Sequence, residues 1–107
     1  MKAITVMFAT AGCLVAGMAS AATEAEAMDI ARKSGCLACH SLDKKLVGPA
    51  WKEVGAKYTG QADAGAMLLA KIKKGGKGVW GEVPMPSNPT VKDADIKTLV
   101  QFVLTLK

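Results

Sequence analysis

The stretch "GCLACH", residues 35–40, decides the fold of this 107-residue chain. It places Cys36 and Cys39 three positions apart, and His40, the one histidine of the sequence, directly follows the second cysteine. Residues three apart are neighbours on a helical turn, so both thiols can face the same edge of a flat ring system. The imidazole that follows is then carried beneath that ring.

This arrangement is the attachment signature of a c-type haem. The two sulfurs can reach two vinyl groups on one edge of the porphyrin and form thioethers, and His40 can offer a nitrogen to the iron. The sequence therefore predicts one covalently attached haem c, with Cys36, Cys39 and His40 among its binding residues.

Three other interpretations of the cysteine pair are weaker. A disulfide would close only a four-residue loop, would restrict the unfolded chain very little and would leave His40 unexplained. A thioredoxin-like redox pair would need a βαβ context, which the sequence does not show. Zinc would need more ligands than two cysteines and one histidine, unless water completes the site.

The first 22 residues have the pattern of a secretory signal peptide. Lys2 is a minimal positive start, the following residues up to position 23 carry no charge, and "MASAA" (18–22) offers small residues for cleavage. We expect a cleaved signal peptide over residues 1–22 and one domain over residues 23–107, with the mature chain beginning at Ala22 or Thr23. The alternative is an uncleaved anchor, because the uncharged run is long enough to span a bilayer.

The composition bounds the class of protein. The net charge is +5, but the basic residues are spread among acidic ones and only 5% of residues are aromatic, which argues against nucleic-acid binding. A domain of this size is small for a purely hydrophobic core, so a cofactor that completes the core is consistent with the length.

Four helices and no clear strand are predicted, which is an all-α plan. The first helix follows a capping box formed by Thr23 and Glu26 and ends near Gly35. The second and third are predicted over residues 49–58 and 62–74. The segment 81–90, with three of the four prolines, is expected to have no regular structure. The last helix begins near residues 90–93 and carries an apolar stripe of Ile96, Leu99, Val100, Val103 and Leu104.

The second axial position of a haem iron needs another donor, and methionine sulfur is a known haem ligand. Met28 and Met67 fall on predicted helices, where a role in the core explains them better. Met85 lies in "VPMP" (83–86), where flanking prolines restrict the backbone and reduce the entropy lost when the loop is ordered. The pattern favours Met85 as the second ligand. It leaves open a solvent-exposed methionine in a surface loop.

Taken together, these features resemble the short bacterial monohaem class I cytochromes c, the c-551/c-552 group. The resemblance covers essentially all of residues 23–107. It rests on "GCLACH" (35–40), "VGPAWKEVGAKY" (47–58), "KIKKGGKGVWGEVPMP" (71–86) and "LVQFVLTLK" (99–107).

The resemblance implies the small class I cytochrome c fold, about four short helices wrapped around one covalently attached haem c. It implies His40 and Met85 as the axial ligands of a low-spin iron. It further implies that the carbonyl of Pro49 accepts the imidazole N–H, that the indole of Trp80 bonds a haem propionate, and that Asn88 hydrogen-bonds near the methionine sulfur.

An iron with both axial positions filled by protein has no open site for a substrate, which leaves one-electron transfer. We therefore expect an electron-transfer protein rather than an enzyme. Its predicted place is the periplasm, without stable membrane insertion after cleavage, between a quinol-oxidising respiratory complex and a terminal reductase or oxidase. The alternative is a small peroxidase or gas-binding haem protein in which Met85 is absent from the iron or easily displaced.

Lysines on both sides of the predicted haem edge point to redox protein partners with acidic docking surfaces. Any single lysine is explained better as a solvated surface residue, so the expectation concerns the set, and a monomer is the default oligomeric state. The lysines concerned are Lys44, Lys45, Lys52, Lys57, Lys71, Lys73, Lys74 and Lys77.

Overall fold

Four helices and one small hairpin make up the part of the chain that the computed structural model describes, which is Gly12 and residues 23–106. The predicted signal peptide, residues 1–22, therefore lies outside the described residues except for Gly12. The elements in chain order are α1 (Glu24–Lys33), a 3₁₀ turn (Cys36–Ala38), α2 (Trp51–Tyr58), α3 (Ala64–Lys74), β1 (Gly76–Gly78), β2 (Gly81–Met85) and α4 (Asp93–Thr105).

The ends of α1 follow from its sequence. Thr23 is the N-cap, and its Oγ1 accepts a hydrogen bond from the backbone N–H of Glu26 at 3.1 Å, which confirms the predicted cap. After the helix, Gly35 adopts a left-handed φ of 77°, a conformation that glycine reaches without steric cost. The chain thereby leaves the helix axis and enters the turn that carries the two cysteines.

Helix α2 begins at Trp51, two residues later than the sequence predicted. Ala50 is its extended N-cap, and Pro49 precedes the helix instead of forming its first residue. The backbone N–H groups of Trp51 and Lys52 donate to the carbonyls of Ser41 and Leu42, at 2.9 and 3.1 Å. A helix start has free N–H donors, so the loop after His40 caps α2 and fixes where it begins.

The proline-rich segment contains a strand, which corrects the prediction of no regular structure there. Strands β1 and β2 form an antiparallel pair in which Gly76 faces Met85 and Gly78 faces Gly81. Glycines, which are poor strand formers, occupy three of these four positions, so the sequence pattern did not reveal the pairing. In a two-stranded sheet one side of each strand is unpaired, and Pro84 fits there without a backbone donor.

Helix α4 is the centre of the packing, since it contacts α1, α2 and α3. At Gly55 on α2 an added Cβ would collide with the carbonyl oxygens of Val103 and Leu106, so glycine allows α2 to approach α4 closely. The buried core cluster consists of Ala27, Ala31, Trp51, Val54, Tyr58, Ala64, Leu99, Phe102 and Val103.

None of the helices described here has both the length and the apolar content that crossing a membrane requires.

Candidate haem-binding site

A cavity of about 360 Å³ lies between the cysteine turn, the helices α2, α3 and α4, and the β-hairpin. All four residues predicted to bind the cofactor, Cys36, Cys39, His40 and Met85, line it. The rest of its wall is mostly apolar. It includes Val47, Pro49, Trp51, Val54, Met67, Leu68, Ile72, Val79, Val83, Leu99, Val100 and Val103.

The His40 imidazole has one defined hydrogen bond. Its Nδ1 lies 2.8 Å from the carbonyl oxygen of Pro49. A carbonyl oxygen only accepts, so Nδ1 must carry the proton and donate, which leaves the lone pair of Nε2 available for a metal. The contact that the resemblance implied for Pro49 is thus present.

Two further residues hold the His40 ring, and sequence reasoning missed both. The Trp51 ring stacks on the imidazole, with centroids 5.8 Å apart and planes 25° apart. A Cβ at Gly48 would come within 2.6 Å of His40 Cε1, so only glycine leaves room for the ring. Both lie in the "VGPAWKEVGAKY" stretch, but no local signal in the sequence links them to the histidine eight and eleven positions earlier.

The cysteines lie on and beside the 3₁₀ turn, with both thiols free and half-buried. The His40 backbone N–H donates to the Cys36 carbonyl at 2.9 Å, which holds the histidine directly under the turn. Burial raises the pKa of the Cys36 thiol. Reactive thiols of redox Cys-x-x-Cys pairs have lowered pKa values, so the direction of this shift does not favour a thioredoxin-like function.

Met85 is the last residue of β2 and is half-buried. Its backbone pairs with Gly76, the first residue of β1, so the hairpin fixes its position relative to the end of α3. Asn88 bonds the residues that follow Met85 to the end of α3. Its Nδ2 donates to the carbonyls of Ile72 and Pro86, both at 3.2 Å. Pro86 directly follows Met85, and the implied hydrogen bond near the methionine sulfur stays a prediction.

The other two methionines have different surroundings. Met28 packs against the buried core and is not part of the cavity wall, in agreement with its predicted core role. Met67 also packs against the core, but it lines the cavity as well, and Gln61 Nε2 lies 3.8 Å from its sulfur. Met67 therefore belongs to the wall of the site as well as to the core.

The rim of the cavity is aromatic and basic. Trp80 sits at the hairpin turn, is 39% exposed and lines the cavity, as do Lys71 and Lys77. The Nζ of Lys57 lies 5.9 Å from the Trp80 ring centroid and 5.7 Å from that of Tyr58, within the range of a cation–π interaction. A propionate contact by Trp80 stays a prediction.

These features fit a haem. The cavity volume lies within the roughly 300–1,000 Å³ that cofactor sites occupy, and its wall is predominantly apolar. One edge presents two free thiols, and the imidazole beside them has an available nitrogen. Within residues 23–106 no three histidine, cysteine or acidic side chains are grouped as a metal-ion site would require, so the zinc alternative lacks a ligand cluster there.

Comparison with known proteins yields consistent matches. Residues 21–107 match the Cytochrome c family. The chain is 49% identical over 100 residues to cytochrome c-552 of Nitrosomonas europaea, covering 94% of this chain and 92% of that protein. It is 54% identical over 79 residues to cytochrome c-551 of Azotobacter vinelandii, covering 74% and 95%. The crystal structure of wild-type Nitrosomonas europaea cytochrome c552 superposes with a TM-score of 0.72 at 51% identity, covering 75% of this chain and 99% of that one.

Proposed function

Since the chain belongs to the cytochrome c family, we propose that it carries single electrons on a haem whose iron is held between His40 and Met85. Membership of the family confirms the predicted resemblance, the mainly helical fold and the covalently bound haem c. We assign its attachment to Cys36 and Cys39. The protein is accordingly an electron-transfer protein and not an enzyme.

The observation that supports the ligand pair is that His40 and Met85 line one cavity. Pro49 holds the imidazole in the tautomer that directs Nε2 to a metal. The pairing of Met85 with Gly76 and the hydrogen bond from Asn88 to the carbonyl of Pro86 restrain the chain on both sides of the Met85 side chain. When bound, haem c supplies an iron that alternates between its ferric and ferrous states.

Two properties of the chain set the direction of the reduction potential. A thioether ligand raises the potential of a haem iron, and so does a wall that excludes water. Most residues that line the cavity are apolar, which supports a raised potential. We therefore propose a carrier that accepts electrons readily, as a step between a quinol-oxidising complex and a terminal reductase or oxidase requires.

The proposed place of action is the periplasm, reached through cleavage of residues 1–22. The proposed partners are redox proteins with acidic docking surfaces. We propose that this protein binds them as a monomer. Support comes from exposed lysines near the cavity, since Lys44 and Lys45 follow the cysteine turn and Lys77 lines the cavity from the hairpin. Such charges attract an acidic surface over a distance that depends on salt.

The decisive experiment combines an absorption spectrum of the ferric and ferrous protein with its intact mass. We expect the mass of a chain beginning at Ala22 or Thr23 plus one haem, together with the ferric charge-transfer band of a methionine–iron bond. A mass equal to the amino acids alone would contradict covalent haem. A haem protein without that band would refute the role of Met85, and a mass that includes residues 1–22 would refute cleavage.

A further inference from the structure

The connecting segment, residues 86–92, leads from β2 to α4 without a helix or strand of its own. Met85 immediately precedes this segment and lines the cavity. The conformational freedom of residues 86–92 therefore affects how far the Met85 side chain can move from the cavity. Two groups of contacts fasten the segment to the end of α3.

The first group consists of the hydrogen bonds of Asn88. Its backbone N–H donates to the carbonyls of Ile72 and Lys73, at 3.0 and 3.2 Å, and its side-chain amide donates to Ile72 as well. Carbonyls in the last turn of a helix have no partner within the helix. Asn88 therefore caps α3 and holds the beginning of the connecting segment against it.

The second group consists of the hydrogen bond and the ion pair of Lys73. Its Nζ donates to the carbonyl oxygen of Val91 at 2.5 Å and lies 2.9 Å from Asp93 Oδ1. A single side chain from the last turn of α3 thus holds both the end of the connecting segment and the first residue of α4.

Lys73 differs in its burial from the other ion-paired cations of the described residues. Its side chain is 26% exposed, whereas those of Arg32, Lys33, Lys52 and Lys77 are between 51% and 74% exposed. Water screens an exposed ion pair, which then contributes little. A partly buried ammonium that donates to a carbonyl and a carboxylate together makes stronger, charge-assisted hydrogen bonds.

We propose that Lys73 is a positioning residue for Met85. It bonds residues 91 and 93 and so keeps the connecting segment packed against the end of α3. The proposal rests on the proposed function, in which Met85 is an iron ligand. A thioether is a neutral and weak donor, so greater freedom of the adjoining chain favours its release through conformational entropy. Release of Met85 leaves an axial position that an outside ligand can occupy.

The test is the binding of imidazole to the ferric, haem-loaded protein, since imidazole must displace Met85 in order to bind. Lys73→Met keeps an aliphatic side chain and loses both polar contacts. We expect the apparent affinity for imidazole to rise about tenfold, the scale of one lost charge-assisted hydrogen bond. The methionine–iron band should weaken in parallel.

Two further variants separate positioning from a general change of charge. Lys74→Met alters the exposed neighbour at the same helix end and should bind imidazole like the parent. Lys73→Arg keeps the charge and the donors, and it should restore an affinity close to that of the parent. Equal imidazole affinities of Lys73→Met and Lys74→Met would overturn the proposal.

Asp93→Asn keeps the test decisive if Lys73→Met folds poorly. It removes the partner's charge and leaves the Val91 contact, so imidazole affinity should rise by a smaller factor, and no rise would count against the proposal. The parent protein separates the two levels of inference. A parent without the methionine–iron band would refute Met85 as a ligand. If the parent has the band and the Lys73 and Asp93 variants bind imidazole like the parent, only the positioning role of Lys73 is refuted.

Discussion

The imidazole of His40 bonds the carbonyl of Pro49, stacks on the ring of Trp51 and occupies space that a side chain at residue 48 would fill. Each of these neighbours has a different effect. The hydrogen bond selects the tautomer, the stacked indole limits tilting of the ring, and the missing Cβ at Gly48 leaves space for Cε1. A ligand oriented before the cofactor binds loses less entropy when the metal bond forms.

Gly48→Ala should therefore disturb the site. The new methyl group would meet His40 Cε1 and Nδ1 at 2.6 and 3.0 Å, so the ring must move away from Pro49. We expect the free energy of unfolding to fall by about 1–3 kcal/mol, with a changed haem spectrum. Gly65→Ala is the matched control, because nothing lies within 4 Å of its added Cβ in α3. An unaltered spectrum in Gly48→Ala would show that the ring is not confined there.

Met85→Ala should leave the haem attached and open the iron, because the thioethers to Cys36 and Cys39 do not depend on it. We expect loss of the methionine–iron band and a fall in potential on the order of 0.1 V, a fraction of the range of ~0.8 V that axial ligands cover. Redox titration with absorption spectroscopy measures both. Met67→Ala, from the same cavity wall, should keep the band. A spectrum and potential equal to the parent's in Met85→Ala would show that the ligand assignment is wrong.

At the scale of elements, hydrogen bonds and one ion pair join the end of α3, the segment after the hairpin and the start of α4. Met85 belongs to the hairpin, and the connecting segment of residues 86–92 is fastened to α3 by Asn88 and Lys73. The ion pair between Lys73 and Asp93 then joins the end of α3 to the start of α4.

This ion pair predicts an acid-sensitive contribution to stability. A hydrogen bond from Lys73, aided by its charge, lowers the pKa of Asp93. A carboxylate with a lowered pKa in the folded state stabilises the fold above its ordinary pKa and loses that contribution as the pH falls through the lowered value. The parent should therefore lose more stability than Asp93→Asn below about pH 5. Urea unfolding at several pH values measures this, and parallel curves for both proteins would contradict it.

At the scale of the molecule, the core is divided around the haem cavity. Trp51, Val54, Leu99 and Val103 belong to the buried core and also line the cavity. Those four residues are at most 7% exposed, whereas Val47, Val79 and Val83 of the same cavity wall are 55–64% exposed, so a haem in the cavity would cover apolar surface that the protein alone leaves open. A domain of this size has little other apolar surface with which to stabilise four helices.

Replacing Cys36 and Cys39 together by alanine should leave a largely unfolded chain, because the covalent haem that completes the core is lost. Alanine does not weaken the local helical turn, so a loss of helix in this variant reports on the cofactor rather than on helix propensity. Far-ultraviolet circular dichroism measures the outcome. A well-folded helical apoprotein would contradict the prediction.

The basic rim should make electron transfer sensitive to salt. With the hexacyanoferrate(III) anion as the oxidant, the rate should fall several-fold as the Debye length shrinks from about 30 Å at 0.01 M to about 8 Å at 0.15 M. Lys77→Gln, at the cavity, should slow the reaction and flatten its salt dependence. Lys33→Gln, on α1, is the matched control and should behave like the parent. A rate in the parent that does not change with ionic strength would count against electrostatic steering.

The sequence alone was sufficient for the features that depend on neighbours in the chain. The spacing of Cys36, Cys39 and His40, the cap at Thr23 and the apolar stripe of α4 each express a local geometry, and the structure agrees with the cap and the four helices. Met85 could be singled out because two prolines flank it. The sequence placed the start of α2 at Pro49, two residues too early. The helix begins at Trp51, where the carbonyls of residues 41–42 accept hydrogen bonds from its first N–H groups.

Only the tertiary structure revealed the contacts between segments that are distant in the chain. Gly48 and Trp51 around His40, Gly55 against the end of α4, and Lys73 bound to Val91 and Asp93 all depend on how elements approach one another. The pairing of glycine-rich β1 with β2 is of the same kind. Local propensity determines which elements form, whereas steric space and the satisfaction of polar groups between packed elements determine which residues hold the site together.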